Sequence, residues 1–240
     1  MDMKIFDILF EQQEIKTKSK PYRTTSEIGS LGIVPVHLES EQRILLLNGK
    51  NIDKAIENSK NKVQFMRMFI NGVAEKYTDT TPHDINAQCI IGQLNYKKIS
   101  NGIYKVNSVA SIKSYGSLLY QLLMQFLSAE NAYITPSVPI EQKALDVYYS
   151  FMNRDDIEKK PLQEINRVTY IVRKKQISNQ YPESKQENKP FYLGFQMQGT
   201  PSFTPVKEIL GTAMDEFNIS ESEIAKAASD WFNKRYKPED

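Results

Sequence analysis

The chain of 240 residues lacks the features that define several protein classes. Its single cysteine, Cys89, cannot form a disulfide within the chain, which indicates a reducing compartment. Its two histidines, His37 and His83, lie far apart, and neither has the spacing to a cysteine or carboxylate that metal ligands show. We therefore expect structural or solvated histidines rather than a metal site.

A strong charge imbalance and a long apolar run are also missing. The net charge is +2, so bulk electrostatics indicates neither nucleic-acid binding nor attraction to a membrane surface. No apolar stretch approaches the length of about 20 residues that a membrane-spanning helix needs. The apolar stretch Ile5–Phe10 is short and contains Asp7, which does not fit a secretory signal peptide. With 40% hydrophobic and 25% charged residues, the composition predicts a folded globular protein.

The most informative part of the sequence is Ile103–Arg154, which alternates strand and helix patterns. Ile103–Ile112 predicts a strand, and the tetrapeptide Ser114–Ser117 predicts a turn through Gly116. Leu118–Leu127 is apolar on nearly every face and predicts a buried helix. A second strand over Ala132–Val138 and an amphipathic helix over Glu141–Arg154 follow. A strand that turns straight into a helix N-terminus can bind an anion, because unpaired N–H groups and the helix dipole point the same way.

Upstream of this stretch, we predict a short amphipathic helix, two strands and a long helix. The first helix, Asp2–Ile15, precedes the basic segment Lys16–Arg23, which is interpreted as an exposed linker or as a phosphate-binding arm. Two strands and the long helix, capped by Asn51 or Asp53, come next. Their predicted bounds are Val34–Leu38, Arg43–Leu47 and Asn51–Tyr77.

A β-hairpin is predicted directly before the glycine turn. The segment Ile85–Leu94 pairs with Ile103–Ile112, and Tyr96–Gly102 forms the polar connection between them. Cys89 has an apolar strand around it and no basic neighbour in sequence. We therefore expect a buried, unreactive thiol.

The segments after Arg154 change in character. Asp155–Asn166 is charged and contains Pro161. Arg167–Lys174 is rich in β-branched residues and predicts a strand. Its basic residues around Tyr170 fit an edge strand protected by lysines, or a surface for single-stranded nucleic acid. Gln176–Pro190 predicts a mobile surface loop.

The C-terminal part predicts one more strand and two helices. The strand is Phe191–Met197, and the helices are Pro205–Phe217 and Ser220–Arg235. Ser220 with Glu223 matches a capping box. This helical pair either docks a partner or covers the sheet, using its large aromatic residues Trp231, Phe232 and Tyr236.

The order of these elements resembles the GNAT superfamily of acyl-coenzyme A N-acyltransferases over about Val34–Phe195. More narrowly, the stretch Ile103–Arg154 is similar to the GNAT-like domain of tailed-bacteriophage proteins. The similarity rests on YGSLLYQLLMQ, on the following TPS, and on the positions Ala144, Val147, Tyr148, Phe151, Arg154, Asp155 and Asp156. The resemblance implies an α+β, three-layer fold, in which helices flank a GNAT-like mixed central sheet. We divide the chain into a helix and basic linker (1–30), the GNAT-like domain (31–200) and a C-terminal helical pair (201–240).

The resemblance also implies a cofactor site at the glycine turn. In GNAT enzymes, backbone N–H groups of the turn after the fourth strand bind the pyrophosphate of coenzyme A. Ser111 and Ser114 stand where that family has Arg or Gln and its first Gly, whereas Gly116 matches the last small residue. The positions implied for cofactor binding are Tyr115, Gly116, Ser117 and Leu118.

Tyr148 stands where many GNAT enzymes carry a tyrosine that protonates the leaving thiolate. A phenol suits that role because its ordinary pKa, near ~10, is close to that of an alkyl thiol. A plain core role on an apolar helix face explains the same residue. No carboxylate is placed as a general base, because the hairpin offers only Gln88, Cys89 and Gln93.

Two functions follow from these observations. In the first, the chain is a bacteriophage virion-associated or assembly protein on a GNAT-like fold that has lost catalysis. It then needs no cofactor, its partners are other virion proteins or further copies of itself, and it binds neither membrane nor nucleic acid. In the second, it is a phage-encoded N-acetyltransferase that uses acetyl-CoA. Both predict a location in the virion or the host cytoplasm.

Overall fold

The computed structural model describes residues 31–37, 42–73, 87–112, 115–180, 190–197 and 210–235. Within them, seven strands form one sheet in the spatial order β1-β2-β3-β4-β5-β7-β6. Neighbouring strands are antiparallel except β4 and β5, which run parallel. The strands are β1 (Leu31–His37), β2 (Gln42–Asn48), β3 (Ile90–Ser100), β4 (Ile103–Ser111), β5 (Tyr133–Pro136), β6 (Ile157–Pro161) and β7 (Leu193–Met197). The predicted mixed sheet is confirmed.

Helices cover both faces of this sheet. They are α1 (Gly49–Glu57), α2 (Lys62–Asn71), α3 (Gly116–Ser128), α4 (Gln142–Met152), α5 (Leu162–Ile165), α6 (Arg167–Gln180), α7 (Gly211–Glu216) and α8 (Glu221–Arg235). The α+β class predicted from the sequence is therefore confirmed. No helix among the described residues is both long and apolar enough to cross a membrane.

Each face of the sheet has its own hydrophobic core. The α3 core lies under α3 and α4 and includes Leu94, Leu119, Leu123, Ile134 and Tyr148. The α8 core lies under α1, α2, α7 and α8 and includes Leu45, Ile52, Phe65, Phe69 and Trp231. The two cores alternate along β2, because successive strand residues point to opposite faces.

The central prediction over Ile103–Arg154 is confirmed: β4, α3, β5 and α4 follow one another as expected. The β3–β4 hairpin is also confirmed, and Gly102 closes it at a positive φ of 70°. The predicted polar connection Tyr96–Gly102 is too long. The strand continues to Ser100, because Tyr96 is buried and packs on Tyr104 with 5.8 Å between ring centroids.

The prediction of one continuous helix over Asn51–Tyr77 is wrong. It is two helices, and neither Asn51 nor Asp53 is a cap. Asn48 caps α1, since its side chain accepts a bond from the Asn51 N–H, and Asn61 caps α2 in the same way. A second asparagine cap inside the predicted helix divides it in two.

The strand predicted over Arg167–Lys174 is wrong, and with it the edge-strand interpretation. The segment belongs to α6, whose start is capped by Asn166: its side-chain oxygen accepts the Thr169 N–H at 3.0 Å. Tyr170, Arg173 and Ile177 then share the helix face turned to the protein. Helical spacing of these three residues outweighs the β-propensity of their neighbours.

The charged segment Asp155–Asn166 contains β6 and α5. β6 is the edge strand that pairs with β7, and its Lys159 and Lys160 supply the charges with which edge strands avoid further pairing. The lysine-protected edge exists, but it lies about ten residues before the predicted position.

The C-terminal prediction is confirmed where it is described. Ser220 and Glu223 form the capping box: the Ser220 N–H donates to Glu223 Oε2 at 3.0 Å, and the Glu223 N–H donates to Ser220 Oγ at 3.3 Å. Trp231 and Phe232 are buried in the α8 core, so they cover the sheet. The loop predicted over Gln176–Pro190 is wrong at its start, because α6 continues to Gln180. The remaining predictions, on 1–30, 38–41, 74–86, 113–114, 181–189, 198–209 and Tyr236, lie outside the described residues.

Candidate functional site

The centre of the sheet opens between β4 and β5. The two strands pair only from Ile103 with Tyr133 to Val106 with Pro136, where β5 ends. Beyond that point, β4 continues from Asn107 to Ser111 with no further strand pairing on its β5 side in the described part of the chain. All five residues are partly exposed although β4 is the fourth of seven strands. We call this opening the β4/β5 cleft.

Helix α3 begins close to the end of β4, at the far end of the cleft. Tyr115 is its N-cap residue and is buried, but its side chain makes no capping bond. Gly116, Ser117 and Leu118 form the first helical turn. Their N–H groups point out of the helix start, where the dipole favours a negative charge.

Only part of the predicted cofactor turn keeps donors for a ligand. The Tyr115 N–H donates to the Ile112 carbonyl at 3.1 Å, so this group is already used inside the protein. A Cβ on Gly116 would lie 3.3 Å from Ser111 Oγ, so the absence of a side chain lets the helix start approach β4 closely. Ser114 lies outside the described residues. The structure therefore places Ser111, Gly116, Ser117 and Leu118 close together. The Tyr115 N–H is not available to a ligand, because it is bonded inside the protein.

Tyr148, the predicted proton donor, is sealed in the α3 core. Its side chain is 1% exposed and packs on Tyr120, Phe151 and Phe195, with ring centroids 5.3 to 6.0 Å away. The buried phenol oxygen has no hydrogen-bond partner. Burial raises the pKa of Tyr148 well above its ordinary value, and Tyr120 raises it further, whereas Arg173 lowers it. Such a phenol is a poorer match to a thiolate than an ordinary tyrosine.

The strands beside the cleft carry a row of neutral amides and hydroxyls. Gln93 Nε2 donates to Asn95 Oδ1 at 2.7 Å, and Asn95 Nδ2 donates to Ser108 Oγ at 2.9 Å. Neither β3 nor β4 contains an Asp or Glu. The buried polar residues in the described part of the chain include no carboxylate at all. The row can hold polar groups, but it cannot take up a proton near neutral pH.

Arg173, which the sequence analysis placed on an exposed edge strand or a nucleic-acid surface, is buried in the structure. It lies on α6, is 3% exposed, and donates from Nη2 to Thr135 Oγ1 of β5 at 3.3 Å. Its Nε has no partner, and no described carboxylate forms an ion pair with it. Burial lowers the pKa of Arg173 to about 10, an effect that the Tyr148 phenol opposes. Its spacing from Tyr170 and Ile177 was the available signal, since on a helix these positions share one face.

Burial of a guanidinium that no described carboxylate pairs with costs several kcal/mol of desolvation. A well-packed core side chain contributes a similar free energy to the stability of the fold. Arg173 and the sealed phenol of Tyr148 lie close enough to shift each other's pKa. Together they place one cation and one unpartnered hydroxyl near the end of β5. Both groups are buried, so neither is placed to contact a substrate.

The remaining candidate residues are Cys89, His37 and His83. Cys89 is fully buried, burial raises the pKa of its thiol far above the usual range, and its sulfur lies 3.5 Å from the Asn51 carbonyl oxygen. The predicted burial of this thiol is confirmed. The described residues contain no cluster of His, Cys, Asp or Glu that could hold a metal ion. His37 belongs to β1, and His83 lies outside the described residues.

Searches against protein-family models, curated proteins and solved structures found no match to this chain. A function can therefore be proposed only from the residues and geometry described above.

Proposed function

We propose that the chain is a bacteriophage virion-associated or assembly protein built on a GNAT-like fold that does not transfer acyl groups. The fold part of this proposal is supported by the unit β4–turn–α3–β5–α4, which has the element order that suggested the resemblance. The phage part is supported by the sequence pattern over Ile103–Arg154 alone.

The absence of acid–base chemistry at the β4/β5 cleft carries the proposal. A transferase of this kind needs a base that accepts a proton from the acceptor amine and an acid that reaches the leaving thiolate. The neighbouring strands β3 and β4 contain no Asp or Glu, and Tyr148 is sealed among aromatic rings. Without a base and an accessible acid, the fold acts through its surfaces.

Mass spectrometry of purified particles of the phage that encodes the chain tests the virion role. The chain is expected in the particles, or in assembly intermediates isolated from infected cells, at a fixed ratio to known structural proteins. Absence from both would remove a structural role. A homo-oligomer is the second partner class, and light scattering of the purified chain measures it directly.

One observation favours the alternative, an acetyl-CoA-dependent N-acetyltransferase of the host cytoplasm. The start of α3 has no side-chain cap and lies at the partly exposed end of β4, which suits a pyrophosphate. In this alternative Gly116, Ser117 and Leu118 hold the cofactor and Tyr148 protonates its thiolate. Thiol release from acetyl-CoA in the presence of mixed amine acceptors would then be detectable and would fall in a Tyr148→Phe variant. No release above the buffer rate would remove the alternative.

A further inference from the structure

Three buried polar side chains from three different elements meet near the end of β5. Arg173 of α6 is 3% exposed, Tyr148 of α4 is 1% exposed, and Thr135 of β5 is fully buried. Thr135 Oγ1 accepts a hydrogen bond from Arg173 Nη2 at 3.3 Å. Arg173 Nε and Tyr148 Oη have no hydrogen-bond partner among the described residues. We call these three residues the Arg173 cluster.

The helices α4 and α6 approach each other beside this cluster. Leu145 of α4 and Ile177 of α6 belong to one small hydrophobic cluster. Leu145 lies three residues before Tyr148, and Ile177 lies four residues after Arg173, so each pair shares one face of its helix. Arg173 and Tyr148 also shift each other's pKa, which requires that the two side chains lie near each other. The phenol and the guanidinium are therefore neighbours at the contact between the two helices.

The strand β5 adds the hydroxyl of Thr135 to this pair. The ring of Tyr148 lies 5.3 Å from the ring of Phe195, and Phe195 pairs with Ile134, the residue before Thr135. Arg173 bonds the Thr135 hydroxyl directly. The helix contact and the strand contact thus place all three polar groups at the same end of β5.

The Arg173 cluster carries one positive charge and no negative charge. Burial and Tyr148 are the causes that shift the pKa of Arg173, and no described carboxylate forms an ion pair with it. A guanidinium can only donate hydrogen bonds. A charge inside a protein is normally paired, because burial without a counter-charge is costly. An acceptor that carries a negative charge would meet both needs of Arg173.

The burial of the cluster restricts what this acceptor can be. A carboxylate or phosphate on an organic ligand would have to extend to the surface past side chains that are almost completely buried. A water molecule accepts hydrogen bonds but leaves the positive charge uncompensated. A single small anion accepts bonds from the guanidinium, the phenol and the threonine hydroxyl, and it neutralises the charge.

We propose that Arg173, Tyr148 and Thr135 form a buried binding site for one small monovalent anion of the size of chloride. The site involves none of the residues at the start of α3, and it does not depend on the virion role. An anion bound there links α4, α6 and β5, so it stabilises the folded chain.

The chloride dependence of unfolding tests the site. The full chain is unfolded with urea at constant ionic strength, while sodium chloride replaces sodium gluconate. An ion that binds only the folded chain lowers the unfolding equilibrium constant by the factor 1 + [Cl⁻]/Kd, so this constant should fall about tenfold for each tenfold rise in chloride above Kd. Bromide should act in the same way. An unfolding constant that is equal in chloride and gluconate would overturn the proposal.

Three variants assign a chloride effect to the Arg173 cluster. Arg173→Met removes the charge and should abolish the chloride dependence. Tyr148→Phe removes one donor but keeps the ring, and it should raise the chloride concentration that is needed severalfold. Lys174→Met is the matched control, because it removes an exposed positive charge from the next residue of α6, and it should keep the full dependence. An unchanged dependence in Arg173→Met or Tyr148→Phe, or its loss in Lys174→Met, would reject the site.

Anomalous scattering from crystals grown in sodium bromide locates the ion. A bromide peak is expected in hydrogen-bond contact with the Arg173 guanidinium and the Tyr148 hydroxyl. A water molecule at this place, or bromide found only on the protein surface, would overturn the proposal.

Discussion

The two cores of this protein differ in the hydrogen bonds of their buried and partly buried polar groups. In the α8 core, Asn51 Nδ2 donates to the Gln88 carbonyl at 2.9 Å, and Ser229 bonds both Arg43 and the Ala225 carbonyl. The helices α1, α2 and α8 all begin with side-chain caps. This face of the sheet has the arrangement expected of a region that serves stability.

The α3 core leaves several buried polar atoms without partners. They are Tyr96 Oη, Gln121 Oε1, Tyr148 Oη and, next to this core, Arg173 Nε. Helices α3 and α4 both begin without a capping side chain. Buried polar atoms of this kind are rare in proteins, and they cost stability. The comparison predicts that buried polar atoms cost the α3 core more stability than they cost the α8 core.

The largest effect is expected from a truncation in the α8 core. Phe69 is fully buried and its ring lies 5.9 Å from that of Phe65. Phe69→Ala should lower the free energy of unfolding by about 3–5 kcal/mol, since it removes contacts and leaves a cavity. Urea unfolding measures this, with Val63→Ala, at an exposed position on the same helix, as control. A change below about 1 kcal/mol would show that this core is looser than described.

The next effect has the opposite direction and concerns Arg173. Arg173→Met removes a buried charge that pairs with no described carboxylate, and it keeps most of the side-chain volume, so the free energy of unfolding in chloride-free buffer should stay equal or rise by about 1–4 kcal/mol. Lys226→Met on the exposed face of α8 is the control for removal of a charge alone. If Arg173→Met instead lowers stability by several kcal/mol, the guanidinium must have an anionic partner that the α3 core was inferred to lack.

Removal of the α8 cap tests how much a hydrogen bond beside the α8 core contributes to stability, and the expected effect is smaller. Ser220→Ala deletes the hydroxyl that accepts the Glu223 N–H and should cost about 1 kcal/mol. Chemical denaturation of Ser220→Ala, Ser220→Thr and wild type measures it, and the threonine variant should recover most of the loss. Equal stability of all three would mean that the capping box contributes little.

Glu223, the partner of Ser220 in this cap, predicts a pH dependence of the stability. A hydrogen bond from Lys62, followed by one from the Ser220 backbone N–H, lowers the pKa of Glu223 to about 2. A lowered folded-state pKa means that the stabilisation is present above the ordinary pKa of about 4.3 and is lost as the pH falls towards 2. The difference in Tm between wild type and Glu223→Gln should therefore be largest above pH 5 and shrink towards pH 2. Glu216→Gln, at an exposed residue of α7, should show no such trend.

The smallest effect is expected at Tyr148. Tyr148→Phe removes an oxygen that has no partner, so stability should change by less than about 1 kcal/mol and in the stabilising direction. Thermal unfolding in chloride-free buffer checks this, with Tyr104→Phe as a matched change, because the Tyr104 hydroxyl does donate to Glu130 at 2.8 Å. A larger loss at Tyr148 than at Tyr104 would show that the phenol has a partner.

The sequence predicted the unit from β4 to α4 because its signals are local. Leu118–Leu127 is apolar on all faces, which only a buried helix between a sheet and another helix accommodates. By contrast, α6 was predicted as a strand because Val168, Ile171 and Val172 have high β-propensity. In the structure these three side chains are exposed to solvent on a helix, so no sheet contact uses that propensity. The division of the long helix depended on Asn61, one capping residue among several polar ones.

The candidate site was predictable in position but not in character. The start of α3 at Gly116 follows from the turn and the apolar run after it. The sealing of Tyr148 depends on Phe195, about 50 residues away in the sequence, and the burial of Arg173 depends on Thr135 of another element. No local pattern encodes such distant contacts, so a core tyrosine and a catalytic tyrosine have the same sequence signature.

Calorimetric titration of the full chain with acetyl-CoA tests most directly the proposal that the β4/β5 cleft resembles a cofactor site but does not bind the cofactor. No saturable heat is expected at millimolar cofactor, because the Tyr115 amide is already bonded inside the protein and Ser111 stands where the resembled family has Arg or Gln. Saturable binding that weakens in a Gly116→Val variant, with the fold intact by circular dichroism, would contradict it. That result would place the chain among the cofactor-binding proteins.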